Sequence, residues 1–208
     1  MTSMGTVERE KGFTLIEVAI VLVIIGIIIG AIMKGQDLMD NARGKRFGVE
    51  IHKWESAIYA YLDIKGNLPG DGTPSGLIGS GSGNPQTDIS NANFQNPPNN
   101  SFVLGPNTYY VYLGSDSTSG KNYLIACKSS NCGTALTYTI KSNQIALKFF
   151  STYDTSIDGS SDAGAGKVAG ISAAPTIANN SFTSLTVLSA TTNWTSVSTI
   201  FGMAYELN

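Results

Sequence analysis

The fold is decided by residues 13–33, which read FTLIEVAIVLVIIGIIIGAIM and contain one charged side chain, Glu17. As an α-helix this run would be about 31 Å long, enough to cross the hydrocarbon core of a bilayer. A cleaved secretory signal has a shorter apolar core followed by a small-residue cleavage site, whereas here the helical pattern continues past Met33. We therefore expect residues 13–33 to form a transmembrane helix that is retained in the mature protein.

The next residues, 34–66, carry the pattern of an amphipathic helix. Apolar side chains recur at alternating steps of four and three residues, at Phe47, Ile51, Trp54, Ile58, Tyr61 and then Ile64 or Lys65. This spacing places them on one helical face that packs onto a domain. Gly66 and Pro69 end the helix, because glycine caps a helix C-terminus and proline disfavours helix at the preceding residue. The sequence predicts one long helix from Phe13 to Lys65.

Residues 67–208 are predicted to form a C-terminal globular domain. Residues 73–107 are rich in Gly, Ser, Asn and Pro, and we interpret them as a long surface loop. Stretches with strand composition, separated by polar turn clusters, follow at 109–113, 123–127, 134–140, 181–190 and 198–207. These stretches predict a small antiparallel sheet.

A second helix is predicted at residues 143–157. Its apolar residues Ile145, Phe149, Tyr153 and Ile157 have helical spacing, and Ser142 could cap its N-terminus. A long N-terminal helix followed by strands predicts an α+β fold in which the helix packs on the sheet.

Composition excludes several functional classes. The net charge is -2 and only 13% of residues are charged, which does not indicate a nucleic-acid partner. Cys127 and Cys132 suit a small disulfide loop in an oxidising compartment better than a zinc site, since the single histidine, His52, is far away in sequence. Two free cysteines remain the alternative. No serine or cysteine lies in an evident catalytic arrangement with His52, so we do not expect an enzyme or a cofactor.

One acidic segment suggests a metal. Asp154, Asp158 and Asp162 place hard oxygen donors beside a glycine turn, and calcium prefers such donors. The spacing does not fit an EF-hand loop, and aspartates also cap helices and turns without a metal. These three aspartates are therefore either calcium ligands or caps of helices and turns.

The segment KGFTLIEV at residues 11–18 resembles the prepilin signature of type IV pilins and type II secretion pseudopilins. The resemblance implies that residues 1–12 are a leader peptide, cleaved between Gly12 and Phe13 by a prepilin peptidase. It also implies N-methylation of Phe13, a cytoplasmic N-terminus and a C-terminal domain outside the inner membrane. The resemblance covers roughly the first third of the chain, including the helix, and implies a pilin-like fold.

Glu17 stands out physically, because a lone carboxylate in an apolar helix is costly and such charges are usually partnered or functional. In the family that the chain resembles, the corresponding glutamate offsets the positive charge on the N-terminal amine of a neighbouring subunit. In this chain that amine would belong to Phe13. At about 4 Å and an effective dielectric near 20, such a pair is worth on the order of 4 kcal/mol before desolvation. The alternative is that Glu17 lies near the lipid headgroups and stays solvated.

Gly26 and Gly30 form a small-xxx-small face that allows apolar helices to approach closely. We interpret this face as part of a helical filament core. The alternative is that both glycines are merely tolerated in a lipid-facing helix.

These observations predict a pilin, major or minor, that inserts into the bacterial inner membrane as a precursor and then polymerises with itself into an extracellular filament. An inner-membrane assembly platform would be a further partner. One alternative is a type II secretion pseudopilin. Another is a membrane-tethered adhesin or binding module that uses the helix only as an anchor.

Overall fold

The computed structural model describes residues 12–81 and 83–207. Residues 1–11 of the predicted leader lie outside this part of the chain. The chain divides into two compact units, Met1–Met39 and Asp40–Asn208. Helix α1 runs from Leu15 to Lys65 and contributes to both units. The predicted long helix, which ends before Gly66, is confirmed.

The first unit exposes an apolar helix surface. Leu15, Leu22 and Ile27 are 92%, 64% and 67% exposed, and no residue of the most apolar window of α1 is buried. By length and composition, α1 is the one helix within the described residues that could cross a membrane. Because exposed aliphatic side chains are unfavourable in water, this unit requires a lipid or protein environment.

The second unit contains a five-stranded antiparallel sheet. Its strands are β1 (Ser101–Leu104), β2 (Asn107–Asp116), β3 (Lys121–Cys127), β4 (Val168–Gly170) and β5 (Met203–Leu207). They are arranged in the order β1-β2-β3-β5-β4, and every neighbouring pair is antiparallel. Two further helices are α2 (Pro85–Ser90) and α3 (Lys141–Asp158). The structure is therefore α+β, as predicted.

The main core lies between one face of the sheet and helices α1 and α3. The predicted apolar stripe of α1 supplies buried side chains at Phe47, Ile51, Trp54, Ile58 and Tyr61. Alternate residues of β2, such as Tyr109, Val111 and Leu113, face the same core because side chains alternate along a strand. Burial of this stripe fixes the rotation of the second half of α1 against the sheet.

A second, smaller core covers the opposite face of the sheet. Tyr112 of β2 and Ile125 of β3 pack there with Phe182 and Leu185, which lie outside any regular strand. Both faces of the central strands β2 and β3 are consequently buried over most of their length. This explains why the burial pattern of β2 shows no alternation in its second half.

Three sequence predictions differ from the structure. Residues 134–140 form no strand but only an isolated bridge between Leu136 and Ile200, because no neighbouring strand runs beside them. Residues 181–190 likewise form only single bridges at Ser181 and Val187. In the predicted strand 198–207, only Met203–Leu207 is regular.

The loop-rich region 73–107 is more ordered than its composition predicts. It contains α2, which Asn84 caps by accepting hydrogen bonds from two backbone amides, and it contains β1. Helix α3 confirms the prediction at 143–157, although it starts earlier, so that Ser142 lies inside the helix and does not cap it. Strand β4 had no counterpart among the predictions.

Candidate functional site

Reciprocal hydrogen bonds between Thr14 and Glu17 cap the N-terminus of α1. The backbone amide of Thr14 donates to Oε2 of Glu17 at 2.8 Å, and the Thr14 hydroxyl donates to the same oxygen at 3.0 Å. In return, the amide of Glu17 donates to the Thr14 hydroxyl oxygen at 3.3 Å. This is a capping box, in which residues three apart satisfy amides that the first helical turn leaves unpaired.

The sequence analysis missed this cap, although a signal was present. A Thr-x-x-Glu spacing directly before an apolar run is the sequence pattern of a capping box. The cap gives Glu17 a role within its own chain. It also places the carboxylate at the helix N-terminus, where the helix dipole favours a negative charge.

The cap leaves part of the Glu17 carboxylate available. Both hydrogen bonds from Thr14 end on Oε2, and within residues 12–81 and 83–207 none is recorded to Oε1. None of the ion pairs formed by these residues includes Glu17. The carboxylate can therefore accept a cationic donor from outside the chain while it continues to cap α1.

The peptide bond between Gly12 and Phe13 precedes the helix. Gly12, Phe13 and Thr14 have no regular secondary structure, and the Phe13 side chain is 88% exposed. An exposed peptide bond outside regular structure is more accessible to a peptidase than one within a helix. The cap at Thr14 thus begins α1 just beyond this bond.

Residues 8–33 match a protein family described as "Prokaryotic N-terminal methylation motif". This is the prepilin signature of type IV pilins and pseudopilins. Neither a curated protein nor a solved structure matches the chain. The family match ends at Met33 and thus concerns the apolar helix and the residues before it, not the C-terminal domain.

The prepilin signature supports a type IV pilin-like or pseudopilin precursor, and it fits anchoring of the precursor in the inner membrane. It contains Gly12, Phe13 and Glu17, and the structure places these three residues together at the exposed end of α1. Gly26 and Gly30 lie further along the same helix. A Cβ added to either glycine would meet no atom of the described residues within 4 Å, so contacts within this part of the chain do not require glycine at either position.

Cys127 and Cys132 lie in the C-terminal domain and are joined by a disulfide, with a Cα–Cα distance of 5.2 Å. Cys127 ends β3, and both cysteines are fully buried in the second core. The short loop between them is fixed by a hydrogen bond from the Asn131 amide to the Tyr112 hydroxyl at 3.0 Å. The disulfide therefore anchors a turn to the sheet and lies apart from the residues of the signature in sequence.

The three aspartates at the end of α3 interact with the protein itself. Oδ2 of Asp154 accepts hydrogen bonds from Trp194 and from the Asp162 amide, and Oδ1 of Asp162 accepts two from the amides of Gly164 and Thr192. No group of three or more His, Cys, Asp or Glu side chains within the described part of the chain could hold a metal ion. The geometry thus does not identify these aspartates as calcium ligands.

His52 lies on α1 within the C-terminal domain. Its Nδ1 is 2.9 Å from Oε2 of Glu55, and its ring packs against Tyr153 with centroids 5.6 Å apart. Both contacts hold the imidazole on the helix surface. The contact with Tyr153 is structural, since it connects the surface of α1 to α3.

Proposed function

We propose that this chain is the precursor of a pilin that a prepilin peptidase cleaves between Gly12 and Phe13 and that then polymerises into an extracellular, type IV pilus-like filament. The observation that carries the proposal is the prepilin signature at residues 8–33 on a helix whose apolar surface is exposed. The freed amine of Phe13 would be N-methylated. Before assembly the precursor would reside in the bacterial inner membrane, with its C-terminal domain outside.

Burial of the apolar helix against other copies would stabilise the filament once its subunits have left the lipid, because an unpacked helix would then face water. Removing one Val, Leu or Ile side chain from water contributes about 1.5–3 kcal/mol. The first half of α1 exposes many such side chains, and none is covered within its own unit. Lateral packing of several copies would replace the lipid that surrounds this surface in the membrane.

Glu17 would set the register of the polymer. A methylated amine at Phe13 of one subunit can approach the Glu17 carboxylate of another, because Oε1 is not used by the cap at Thr14. An ion pair at about 4 Å contributes roughly 4 kcal/mol at an effective dielectric near 20, before the cost of desolvation. Apolar contacts alone tolerate axial sliding, whereas one ion pair per subunit favours a single stagger.

Gly26 and Gly30 would provide the close contact between helices. Small residues four positions apart allow two apolar helices to approach closely enough for backbone packing. Since a Cβ at either glycine would collide with no residue in the described part of the chain, the space that these glycines leave is available to a neighbour.

The same signature serves pseudopilins, and a tethered binding module could use the same helix. The disulfide and the loop-rich region 73–107 favour a pilin, because they suit a domain that is exposed outside the cell. Assembly would require the inner-membrane platform as well as the peptidase.

Intact-mass and N-terminal peptide mass spectrometry on surface material sheared from the native cell tests the proposal. A pilin gives a chain in the sheared fraction that begins at methylated Phe13. A chain that begins at Phe13 but stays in the cell envelope indicates a pseudopilin. An uncut chain beginning at Met1 contradicts processing altogether.

A further inference from the structure

The end of α3 buries a carboxyl group that lacks part of its hydrogen bonding. Asp154 is 0% exposed. Its Oδ2 accepts from Trp194 Nε1 at 2.8 Å and from the Asp162 amide at 2.7 Å. Its Oδ1 is also buried and has no hydrogen-bond donor among the described residues. A buried carboxylate oxygen without a donor is costly, so this atom requires an explanation.

The explanation lies one helical turn further along α3. The side chains of Asp154 and Asp158 are four positions apart on α3, a spacing that makes side chains neighbours on one helix face. Oδ2 of Asp158 accepts a hydrogen bond from the Val168 amide at 2.9 Å, and Oδ1 accepts none from the described residues. Two carboxylates in contact cannot both be ionised at low cost.

We propose that Asp154 and Asp158 share one proton. This carboxyl–carboxylate pair is a pH-sensitive contact that holds the end of α3 to the chain segments at Asp162, Val168 and Trp194. The proton would lie on Oδ1 of Asp154 and be donated to Asp158. It supplies the donor that Oδ1 otherwise lacks. The pair lies in the C-terminal domain and does not depend on processing or polymerisation of the chain.

The surroundings of the pair favour the protonated form. The titratable groups that face this end of α3 from α1, β5, α3 and the following loop are mostly acids and phenols: Glu55, Tyr205, Tyr153 and Asp162, with His52. Glu55 is already engaged by the Tyr205 hydroxyl and by His52, at 2.9 Å each. The buried Tyr153 hydroxyl has no hydrogen-bond partner among the described residues, so it does not stabilise a second charge.

Burial raises the pKa of Asp154 to about 7, and the neighbouring Asp158 adds to the increase, although the hydrogen bonds from Trp194 and Asp162 act in the opposite direction. An aspartate in the unfolded chain has a pKa near 3.9. Between these two values the folded chain holds one proton more than the unfolded chain. The free energy of unfolding therefore falls as the pH rises from about 4 to about 7.

A proton fits this pair better than a metal cation does. Calcium takes six to eight oxygen ligands, in contrast to a proton shared between two oxygens. Oδ2 of Asp154 and Oδ1 of Asp162 are already used by hydrogen bonds from the protein. Few oxygens are left at this position to complete a coordination shell.

The test is urea unfolding of the full chain in non-ionic detergent at a series of pH values between 5 and 8. Tryptophan fluorescence reports the fraction unfolded. We expect the folding equilibrium constant to fall by about tenfold or more over this range, since each unit of pKa difference is worth a factor of ten. The variant Asp154→Asn keeps an oxygen for Trp194 and donates its amide to Asp158 permanently, so the pH dependence should disappear. The control Asp63→Asn removes the same charge at an exposed position of α1 and should keep the wild-type pH dependence.

A pH-independent wild type between pH 5 and 8, or an Asp154→Asn variant with the wild-type slope, would overturn the proposal. Stabilisation by calcium chloride that Asp154→Asn abolishes would also overturn it, because a cation would then occupy the position of the proton. If Asp154→Asn does not fold, carboxyl ¹³C NMR of the wild type decides. The Asp154 resonance must titrate near pH 7, and titration below pH 5 contradicts the shared proton.

Discussion

Glu17 accepts two hydrogen bonds from Thr14, from its backbone amide at 2.8 Å and from its hydroxyl at 3.0 Å, and both reach the same carboxylate oxygen. A residue proposed to act between subunits therefore already acts within its own chain. The cap orients the carboxylate and leaves one oxygen free. Substitutions at these two residues should separate the capping role from the assembly role.

Glu17→Gln should abolish the filament while leaving the helix start intact. The amide oxygen of glutamine can still accept from Thr14, whereas the negative charge that would pair with a neighbour's amine is gone. We expect the amount of subunit in the sheared filament fraction to fall at least about tenfold, which corresponds to a loss of about 1.4 kcal/mol in the free energy of assembly. The subunit should still be present in the membrane fraction. Immunoblots of the two fractions measure this.

The control for that prediction is Glu17→Ala, which removes the charge and the cap together. If Glu17→Gln forms filaments as well as the wild type does, the charge is not the assembly determinant. Normal surface display of Glu17→Ala without filaments would instead support a tethered module.

Thr14→Val should loosen the first turn of α1 without removing the charge of Glu17. The substitution deletes the hydroxyl that donates to Glu17 and accepts from its amide. Loss of an N-terminal cap costs about 1 kcal/mol. Amide hydrogen exchange at residues 17 and 18 in micelles should accelerate about fivefold, and Thr14→Ser should restore slow exchange. Unchanged exchange in Thr14→Val would show that the cap contributes little.

Gly26→Leu and Gly30→Leu should reduce filament yield without affecting the monomer. A Cβ at either glycine would meet none of residues 12–81 and 83–207 within 4 Å, so we expect a leucine to leave the contacts of its own subunit undisturbed. Between subunits it would hold helices apart and weaken packing. The matched control is Ile27→Leu, which keeps the volume of the side chain. Equal yields of sheared filament from all three variants would argue that this face is oriented toward lipid.

The sequence predicted the elements whose apolar residues repeat at helical spacing. The stripe from Phe47 to Tyr61 and the run from Ile145 to Ile157 both became helices, because packing on a core requires that spacing. Residues 134–140 have equally good strand composition, yet only Leu136 finds a partner, at Ile200. Strand formation depends on a neighbour that is distant in sequence, which local composition does not reveal.

The candidate site was predictable where its residues are close together in the sequence. Glu17 is conspicuous by its charge within an apolar run, and its Thr14 partner is three residues away, so a local pattern could have identified the cap. The contact of Asp154 with Trp194 joins residues 40 positions apart. No local pattern predicts such a pair, because it results from the way in which the segment after α3 folds back.

Gly114→Ala should destabilise the C-terminal domain. Gly114 lies in β2, and a Cβ there would overlap the backbone carbonyl oxygen and the ring of Phe182. That carbonyl accepts a hydrogen bond from the amide of Ser115, so the segment at Phe182 cannot move away freely. We expect a loss of about 1–3 kcal/mol in the free energy of unfolding. Urea titration monitored by circular dichroism measures it.

Gly133→Ala is the matched control for Gly114→Ala. A Cβ at Gly133 would meet none of the described residues within 4 Å, and this glycine has an ordinary negative φ. The urea unfolding midpoint of Gly133→Ala should match that of the wild type or exceed it slightly, because alanine restricts the unfolded chain. Similar losses in both variants would mean that the contact with Phe182 is not the cause.

The Cys127–Cys132 disulfide should contribute about 2 kcal/mol to the stability of the C-terminal domain, the value expected from chain entropy for so short a loop. Replacing both cysteines with alanine should lower the urea midpoint of the full chain in detergent accordingly. Dithiothreitol present during unfolding should lower the wild-type midpoint and leave that of the double variant unchanged. Because the loop is distant in sequence from residues 8–33, the double variant should still be cleaved at Phe13. Equal midpoints for wild type and double variant would show that the hydrogen bond from Asn131 to Tyr112 suffices to hold the turn on the sheet.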